Sequence, residues 1–114
     1  MIPTVLQMSD LPPYENTLEF EGSLYGDARV SFLLVDMPPG DGPRLHSHPY
    51  EEVFVIFDGQ ATFTVGNRML EIPAGQVVVV PAHTPHKFIN SGEIPLRQID
   101  IHVSPEFITD WLEE

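Results

Sequence analysis

Short runs of alternating apolar and polar residues recur along the chain, and turn residues separate them. Alternation at a period of two residues is typical of β-strands with one buried face. The best runs cover residues 28–37, 52–57, 60–65, 69–72 and 96–103, and residues 77–80 are four consecutive valines. About eight short strands at this spacing, without helical crossovers, predict an all-β antiparallel sandwich or barrel.

The connections and the two ends carry further predictions. Asp58-Gly59 and Gly66-Asn67 are dipeptides favoured in tight hairpin turns, so we expect a hairpin at each. Residues 2–6 predict an edge strand. Ser104 as N-cap and Pro105 at the first helical position predict a short C-terminal helix. Its apolar stripe would comprise Phe107, Ile108, Trp111 and Leu112.

Size and charge narrow the class of protein. A chain of 114 residues predicts one domain over residues 1–114, and the lack of cysteine excludes disulfides and thiolate sites. The net charge of -12 would be repelled by phosphate backbones and anionic membranes, so we expect neither nucleic acid nor membrane as a partner. No stretch has the length of a membrane span, and the start lacks the basic region of a leader. A cytoplasmic protein is expected.

Residues 40–59 hold the first candidate chemistry. His46 and His48 stand two residues apart, so on a strand their imidazoles point to one face, about 7 Å apart. Glu52 would lie too far along an unbroken strand to join them. Pro49 supplies a turn between them, so we expect Glu52 to enter the next strand and face the two histidines.

Residues 75–90 hold a second such stretch. The valine strand ends at Pro81 and Pro85, and His86, Phe88 and Asn90 then share one face of the following strand. His86 is the candidate fourth ligand. Three imidazoles and one carboxylate suit one divalent transition metal per chain, namely Fe, Mn, Ni, Zn or Cu, whereas Ca and Mg prefer all-oxygen shells.

The two stretches resemble the paired motifs of the cupin family. The first motif, G-x5-H-x-H-x3-E-x6-G, is filled by Gly40, His46, His48, Glu52 and Gly59. The second, G-x5-P-x-G-x2-H-x3-N, is filled by Gly75, Pro81, His86 and Asn90, with His83 at the middle glycine, where we expect a positive φ. The resemblance implies a double-stranded β-helix, or jelly-roll, barrel over the whole chain.

Each candidate residue also has a plainer interpretation. A single His-x-His pair is more often two surface histidines in a turn, and only the second motif tips the balance toward a metal site. His83 is interpreted as an exposed turn residue, His102 and Glu51 as solvated strand residues, and Asn90 as a residue that fixes a turn. For the substrate pocket we expect Arg44 at the rim and apolar walls from Phe54, Ile56 and Phe88, although these three would look the same as plain core residues.

Two functions follow from these observations and the resemblance. The first is a metal-dependent enzyme of dioxygenase, decarboxylase, isomerase or lyase type, which acts on a small oxygen-bearing organic substrate at open positions of the ion. No general base can be named, so the catalytic residues are unknown. The alternative is a non-catalytic module in which the ion holds a small molecule or only stabilises the fold. Because small cupins are often dimers and the apolar surface is large, a homodimer is expected.

Overall fold

The alternating segments form strands that divide between two antiparallel sheets, in a computed structural model that describes residues 1–114. One sheet has six strands, in the spatial order β1-β2-β3-β10-β5-β8. In chain order these strands are β1 (Pro13–Tyr14), β2 (Thr17–Phe20), β3 (Ser31–Met37), β5 (Glu52–Asp58), β8 (Val77–Val80) and β10 (Leu96–His102). The two edge strands of this six-stranded sheet are therefore β1 and β8.

The second sheet has five strands, in the spatial order β11-β4-β9-β6-β7. They are β4 (His46–Ser47), β6 (Gln60–Val65), β7 (Arg68–Pro73), β9 (His86–Asn90) and β11 (Asp110–Trp111). Every pairing in both sheets is antiparallel, and two 3₁₀ turns, Met8–Asp10 and Gly22–Leu24, are the only helical segments. The predicted jelly-roll architecture is confirmed. None of its helices is long and apolar enough to cross a membrane.

The inner faces of the two sheets meet in an aromatic core. Phe54 on β5 and Phe63 on β6 lie edge to face, with ring centroids 4.9 Å apart, and Phe88 on β9 lies 5.4 Å from Phe63. All three are almost fully buried. Such rings bury a large apolar area each, so this cluster forms the centre of the hydrophobic core.

One of the two predicted hairpins is present. β6 and β7 pair with Val65 opposite Arg68, which leaves Gly66-Asn67 as the two-residue loop, and Gly66 has a φ of 60°. The prediction of a hairpin at Asp58-Gly59 is wrong, because β5 and β6 do not pair with each other but lie in different sheets. This turn passes the chain from one sheet to the other. A turn dipeptide marks the change of direction but not the strand that pairs next.

Both ends of the chain differ from the prediction. Residues 2–6 form no strand, and no helix follows Ser104. The Ser104 hydroxyl does accept a hydrogen bond from the Glu106 amide at 3.2 Å, but this contact closes a local turn and does not begin a helix. The chain then runs extended, and β11 pairs with β4. In an extended segment alternate residues point the same way, so Phe107, Thr109 and Trp111 all face the barrel interior.

Candidate metal centre

Two neighbouring strands of one sheet and one strand of the facing sheet bring the four predicted ligands together inside the barrel. His46 on β4 pairs directly with His86 on β9, and Glu52 begins β5 in the facing sheet. With His48, their ligand atoms all lie within 4.8 Å of one another, and all four side chains are buried. The turn at Pro49 therefore brings Glu52 back to face the two histidines, as predicted. This buried group could hold a metal ion.

The three histidines share one arrangement of the imidazole ring. Each places Nδ1 against a backbone carbonyl oxygen, which can only accept a hydrogen bond, so Nδ1 carries the ring proton. The acceptors are Arg44 for His46 at 2.6 Å, Ile108 for His48 at 2.8 Å and Thr84 for His86 at 2.8 Å. Each Nε2 is thereby left with a lone pair, which is the form that binds a metal.

Contacts among these atoms show that the donor set fits a cation. Glu52 Oε1 lies 3.0 Å from His48 Nε2 and 3.0 Å from His86 Nε2. A carboxylate oxygen and a bare imidazole nitrogen both accept, so each contact needs a proton or a metal ion between the atoms. One ion would satisfy both contacts together. His48 Nε2 is buried without a hydrogen-bond partner, as an atom kept for a metal would be.

Burial and contacts favour the protonation states that metal binding needs. Burial lowers the pKa of His46 to about 4, so its ring is neutral at physiological pH. Burial raises the pKa of Glu52, but the imidazoles of His102, His48 and His86 outweigh it and hold that pKa well below its usual range. The group therefore presents a neutral imidazole and an ionised carboxylate without prior loss of a proton.

The polar face of β10 is buried, contrary to the prediction that His102 is solvated. Gln98, Asp100 and His102 all point into the barrel, and each is at most 4% exposed. Ile99 and Ile101, on the other face, are only partly covered. Periodicity places these residues on opposite faces but does not say which face is inside. The sequence therefore predicted the polar face of β10 but not its burial, which the structure shows.

His102 contacts the carboxylate oxygen that the ligand histidines do not. Its Nε2 lies 3.1 Å from Glu52 Oε2, outside good hydrogen-bond geometry, and its Nδ1 lies 2.7 Å from the Tyr50 hydroxyl. That hydroxyl accepts from the Ile108 amide at 3.1 Å, and Nδ1 is the acceptor within reach of its own proton. Burial raises the pKa of Tyr50 to about 12, which keeps that proton in place. Nε2 of His102 therefore carries hydrogen.

Asp100 is a second buried acid that the sequence analysis did not single out. It is held by a 2.6 Å hydrogen bond from Gln98 Nε2. Burial and the nearby Glu52 charge raise the pKa of Asp100 well above its usual range, against the effect of that hydrogen bond. The neutral acid is thereby favoured on the wall of the barrel.

A cavity of about 560 Å³ opens over His46, His48 and Glu52. Of the residues predicted to wall a pocket, Phe88 lines it, whereas Phe54 and Ile56 belong to the core cluster and are not part of the lining. Those two residues lie deeper along β5 than Glu52. The apolar walls come instead from Leu33, Val35 and Met37 on β3, together with Phe88, Phe107 and Trp111.

The other predicted residues take simpler places. Arg44 is exposed outside the cavity, and its guanidinium carbon lies 4.7 Å from the centre of the Trp111 ring. His83 is also exposed, with a φ of 63° as expected at the glycine position of the motif. Asn90 fixes a turn by donating to the carbonyls of Met37 and Ile94, as predicted. Glu51 is solvated, also as predicted.

A jelly roll with three histidines and one glutamate converging in its interior defines a barrel with a candidate metal centre. The chain belongs to the cupin family, because the family model described as the cupin domain matches residues 33–102. Auxin-binding protein 1 of Arabidopsis thaliana is 31% identical over 120 residues, 91% of this chain and 61% of that protein. The chain thus spans about three-fifths of that relative's length.

Solved oxalate enzymes share the fold. Oxalate decarboxylase of Lactobacillus farciminis, in a formate complex, is 27% identical with a TM-score of 0.81, covering 92% of this chain and 34% of that one. Oxalate decarboxylase of Bacillus subtilis, described with Mn(II) centres, is 25% identical with a TM-score of 0.77, covering 84% of this chain and 27% of that one. This chain is therefore similar to between a quarter and about a third of each enzyme.

Proposed function

We propose that this cupin is a metalloenzyme that binds one divalent transition metal and acts on a small oxygen-bearing organic substrate. The observation that carries the proposal is the group of His46, His48, Glu52 and His86, four buried ligand atoms within 4.8 Å of one another, in which all but His86 also line an open cavity. Structural ions are usually closed off by protein ligands, whereas catalytic ions keep a position that faces a cavity.

The ion would act as a Lewis acid or as an oxygen-binding centre. The chain would hold it through the three Nε2 atoms and the Glu52 carboxylate. Manganese is the first metal to test among Fe, Mn, Ni, Zn and Cu, because a structural relative at 25% identity is described with Mn(II) centres. Dioxygenation, decarboxylation, isomerisation and elimination all fit such a centre. Phe88, Phe107 and Trp111 would exclude water from it.

Asp100 and His102 are the groups that could move a proton beside the substrate. Both line the cavity, and neither belongs to the proposed ligand set. The sequence named no general base, because β10 carries no motif that marks one. The structure supplies these two candidates through the buried polar face of that strand.

A non-catalytic module is the second candidate function. It is favoured by the likeness to a protein named for binding auxin, a small molecule. In such a module, the same ion and cavity would hold a ligand without converting it. Turnover of a bound ligand separates the two candidates, since both predict binding at the metal.

The proposal is tested on the manganese form of the purified protein by paramagnetic resonance. Catechol and small carboxylates, oxalate among them, should change its spectrum at millimolar concentration, because the cavity leaves coordination positions accessible. A manganese spectrum that no chelating ligand perturbs would show an ion saturated by protein. That result would replace the enzyme with a structural metal site.

Assembly as a homodimer is part of the proposal. The edge strand β8 exposes Val77 and Val79, while Val78 and Val80 on its other face are buried. An exposed apolar edge strand has unpaired backbone groups along one side and is readily covered by a second sheet. Ile2 and Val5 near the amino terminus are also exposed, so an exchanged terminal segment is the other way to form the dimer.

A further inference from the structure

The cavity above the candidate metal centre has an unusual charge balance. Its lining includes four acidic side chains besides Glu52, namely Glu15, Glu19, Asp41 and Asp100, of which the buried Asp100 favours its neutral form. The same lining contains no lysine and no arginine. Glu19 and Asp100 stand on the walls, and Glu15 and Asp41 stand in its exposed part. A ligand in this cavity therefore finds hydrogen-bond partners and acids but no cationic side chain.

The five basic residues of the chain lie elsewhere. Arg97 pairs with Asp36 at 3.6 Å, and Lys87 pairs with Glu113 at 3.1 Å. Arg44 and Lys87 line a second, smaller hollow. Arg29 and Arg68 are exposed and line neither space. The main cavity thus lacks lysine and arginine because all five basic residues of the chain lie outside it.

Since no lysine or arginine lines the cavity, the ion would supply the positive charge that a ligand meets inside it. A divalent ion with Glu52 as its one anionic ligand keeps a net charge of about one, which suits one chelating anionic end. A further sulfonate, phosphate or carboxylate on the same ligand would lie among like charges in a poorly solvated space. Anions in such a space are strongly disfavoured unless a cation pairs with them.

The remaining wall of the cavity is apolar and aromatic. Leu33, Val35 and Met37 on one side face Phe88, Phe107 and Trp111 on the other. At about 560 Å³ the space has the size of a pocket for one compact organic molecule. Tyr14, Asn16 and Thr17 add uncharged hydrogen-bonding groups to the lining. These surfaces suit a ring or short chain that carries neutral or basic substituents.

We propose that the ligand of this cavity has one metal-chelating, oxygen-bearing end and an uncharged or cationic body, and that a second anionic group prevents tight binding. The inference rests on the proposed metal-centred function and adds the substrate class to it. Compounds with a second anionic group away from the chelating end, such as longer dicarboxylates and phosphorylated compounds, are thereby excluded as preferred ligands. Catechol-like or hydroxycarbonyl compounds with neutral or amino substituents are favoured.

The test uses three catechols with the same chelating end on the anaerobic manganese form. They are 4-methylcatechol, dopamine and 3,4-dihydroxybenzenesulfonate, whose tails are neutral, cationic and anionic. A sulfonate is a weak metal ligand, so it cannot replace the catechol end at the ion. We expect dissociation constants for the first two that are at least about tenfold lower than for the sulfonate. The anionic sulfonate tail would lose hydration in this cavity without gaining a cationic partner, which disfavours its binding.

A matched pair of variants assigns the discrimination to the cavity. The double variant Glu19→Gln with Asp41→Asn removes two cavity charges. It should bring the dissociation constant of the sulfonate closer to that of 4-methylcatechol, so that the ratio of the two constants falls toward one. Glu71→Gln removes one charge on the exposed strand β7, outside the cavity, and should leave the ratio unchanged. Fluorescence or calorimetric titration measures each constant.

Two failures are distinguishable. If 4-methylcatechol binds and the sulfonate binds as tightly or more tightly, the charge rule is overturned while the metal-centred function stands. If none of the three perturbs the manganese spectrum, the proposed function itself fails, and this inference fails with it. An unchanged ratio in the double variant would also overturn the assignment to these carboxylates.

Discussion

The position of one ring proton separates the ligand histidines from His102. In His46, His48 and His86 the proton is on Nδ1, against a carbonyl oxygen, whereas the Tyr50 hydroxyl leaves it on Nε2 of His102. His102 thus presents its Nε2 hydrogen toward Glu52 Oε2 at 3.1 Å, outside good hydrogen-bond geometry, and leaves Oε1 to His48 and His86. Such outer contacts orient a carboxylate ligand and tune its ion.

Replacing His102 by phenylalanine should therefore weaken metal binding without removing a ligand. Removal of an outer partner typically costs about 10- to 100-fold in metal affinity. We expect a loss of that size together with a changed manganese resonance spectrum, because Glu52 would be free to turn. Tyr50→Phe, which leaves the imidazole in place, should give a smaller change in the same direction.

A purely structural role for His102 would have another result. The thermal midpoint of the His102→Phe protein would fall, but its metal affinity and its spectrum would match those of the wild-type protein. That combination would contradict the positioning of Glu52 by His102.

Acid should destabilise the metal-free protein through His46. Burial lowers its pKa to about 4 in the folded state, whereas an unfolded histidine titrates near 6.5. Between these values the unfolded chain binds the proton and the folded chain does not, so stability falls as the pH is lowered. This one group contributes a slope of at most about 1.4 kcal/mol per pH unit.

Chelator-treated protein unfolded in urea at several pH values between 6.5 and 5 measures that slope. His46→Gln cannot take up the proton, so its free energy of unfolding should vary less over the same range. Equal slopes for the two proteins would show that His46 is not held neutral by burial.

The C-terminal segment shows what sequence patterns miss at the scale of elements. Phe107, Ile108, Trp111 and Leu112 have the spacing of a helical stripe, yet β11 pairs with β4, and the Leu112 amide donates to Leu45 O at 2.9 Å. The Ile108 carbonyl accepts from His48. These backbone groups have partners that only the extended form can reach. Local spacing carries no information about such distant partners.

The close approach of one loop to β9 gives an element-scale prediction. A Cβ atom on Gly42 would lie 1.9 Å from the Phe88 carbonyl oxygen, on the strand that also carries His86. Gly42→Ala must therefore move backbone, and overpacking of this kind typically costs about 1 to 3 kcal/mol. We expect a lower free energy of unfolding and a reduced metal content.

Gly92→Ala is the matched control for this variant. A Cβ atom there would meet its nearest neighbours at 3.5 Å, an ordinary contact, and Gly92 has no positive φ. Urea unfolding measures the free energy of unfolding of both proteins, and elemental analysis measures their metal content. A Gly42→Ala protein as stable as Gly92→Ala would contradict the described approach of the loop to β9.

The molecule as a whole has a surface that a second copy could cover. Val77 and Val79 on β8 are 58% and 62% exposed. We expect a homodimer, with an association that strengthens as salt is raised, because two chains of net charge -12 repel each other. Val79→Lys should weaken the dimer, whereas Met69→Lys, at an exposed position of β7 in the other sheet, should not. Sedimentation that shows only a 12.8 kDa species at low micromolar concentration would contradict the dimer.

The sequence predicted an antiparallel sandwich or barrel and the candidate ligands because both have short-range signals, and the resemblance of the paired motifs to cupins implied the jelly roll. Period-two alternation marks strands, and His46, His48 and Glu52 stand within seven consecutive residues. The cavity had no such signal, because its walls come from β2, β3, β10 and the segment after Ser104. Contacts such as His102 with Glu52 join residues fifty positions apart, and only the folded chain brings them together.

Metal content of ligand variants tests the central claim most directly. Elemental analysis of manganese-loaded, desalted protein should give about one ion per chain for the wild-type protein and for His83→Asn, which replaces an exposed histidine by a residue that tolerates its positive φ. His48→Ala and His86→Ala should each lose most of the ion, because each removes one of four converging ligand atoms. Full occupancy in the His86→Ala protein would contradict the assignment of this centre.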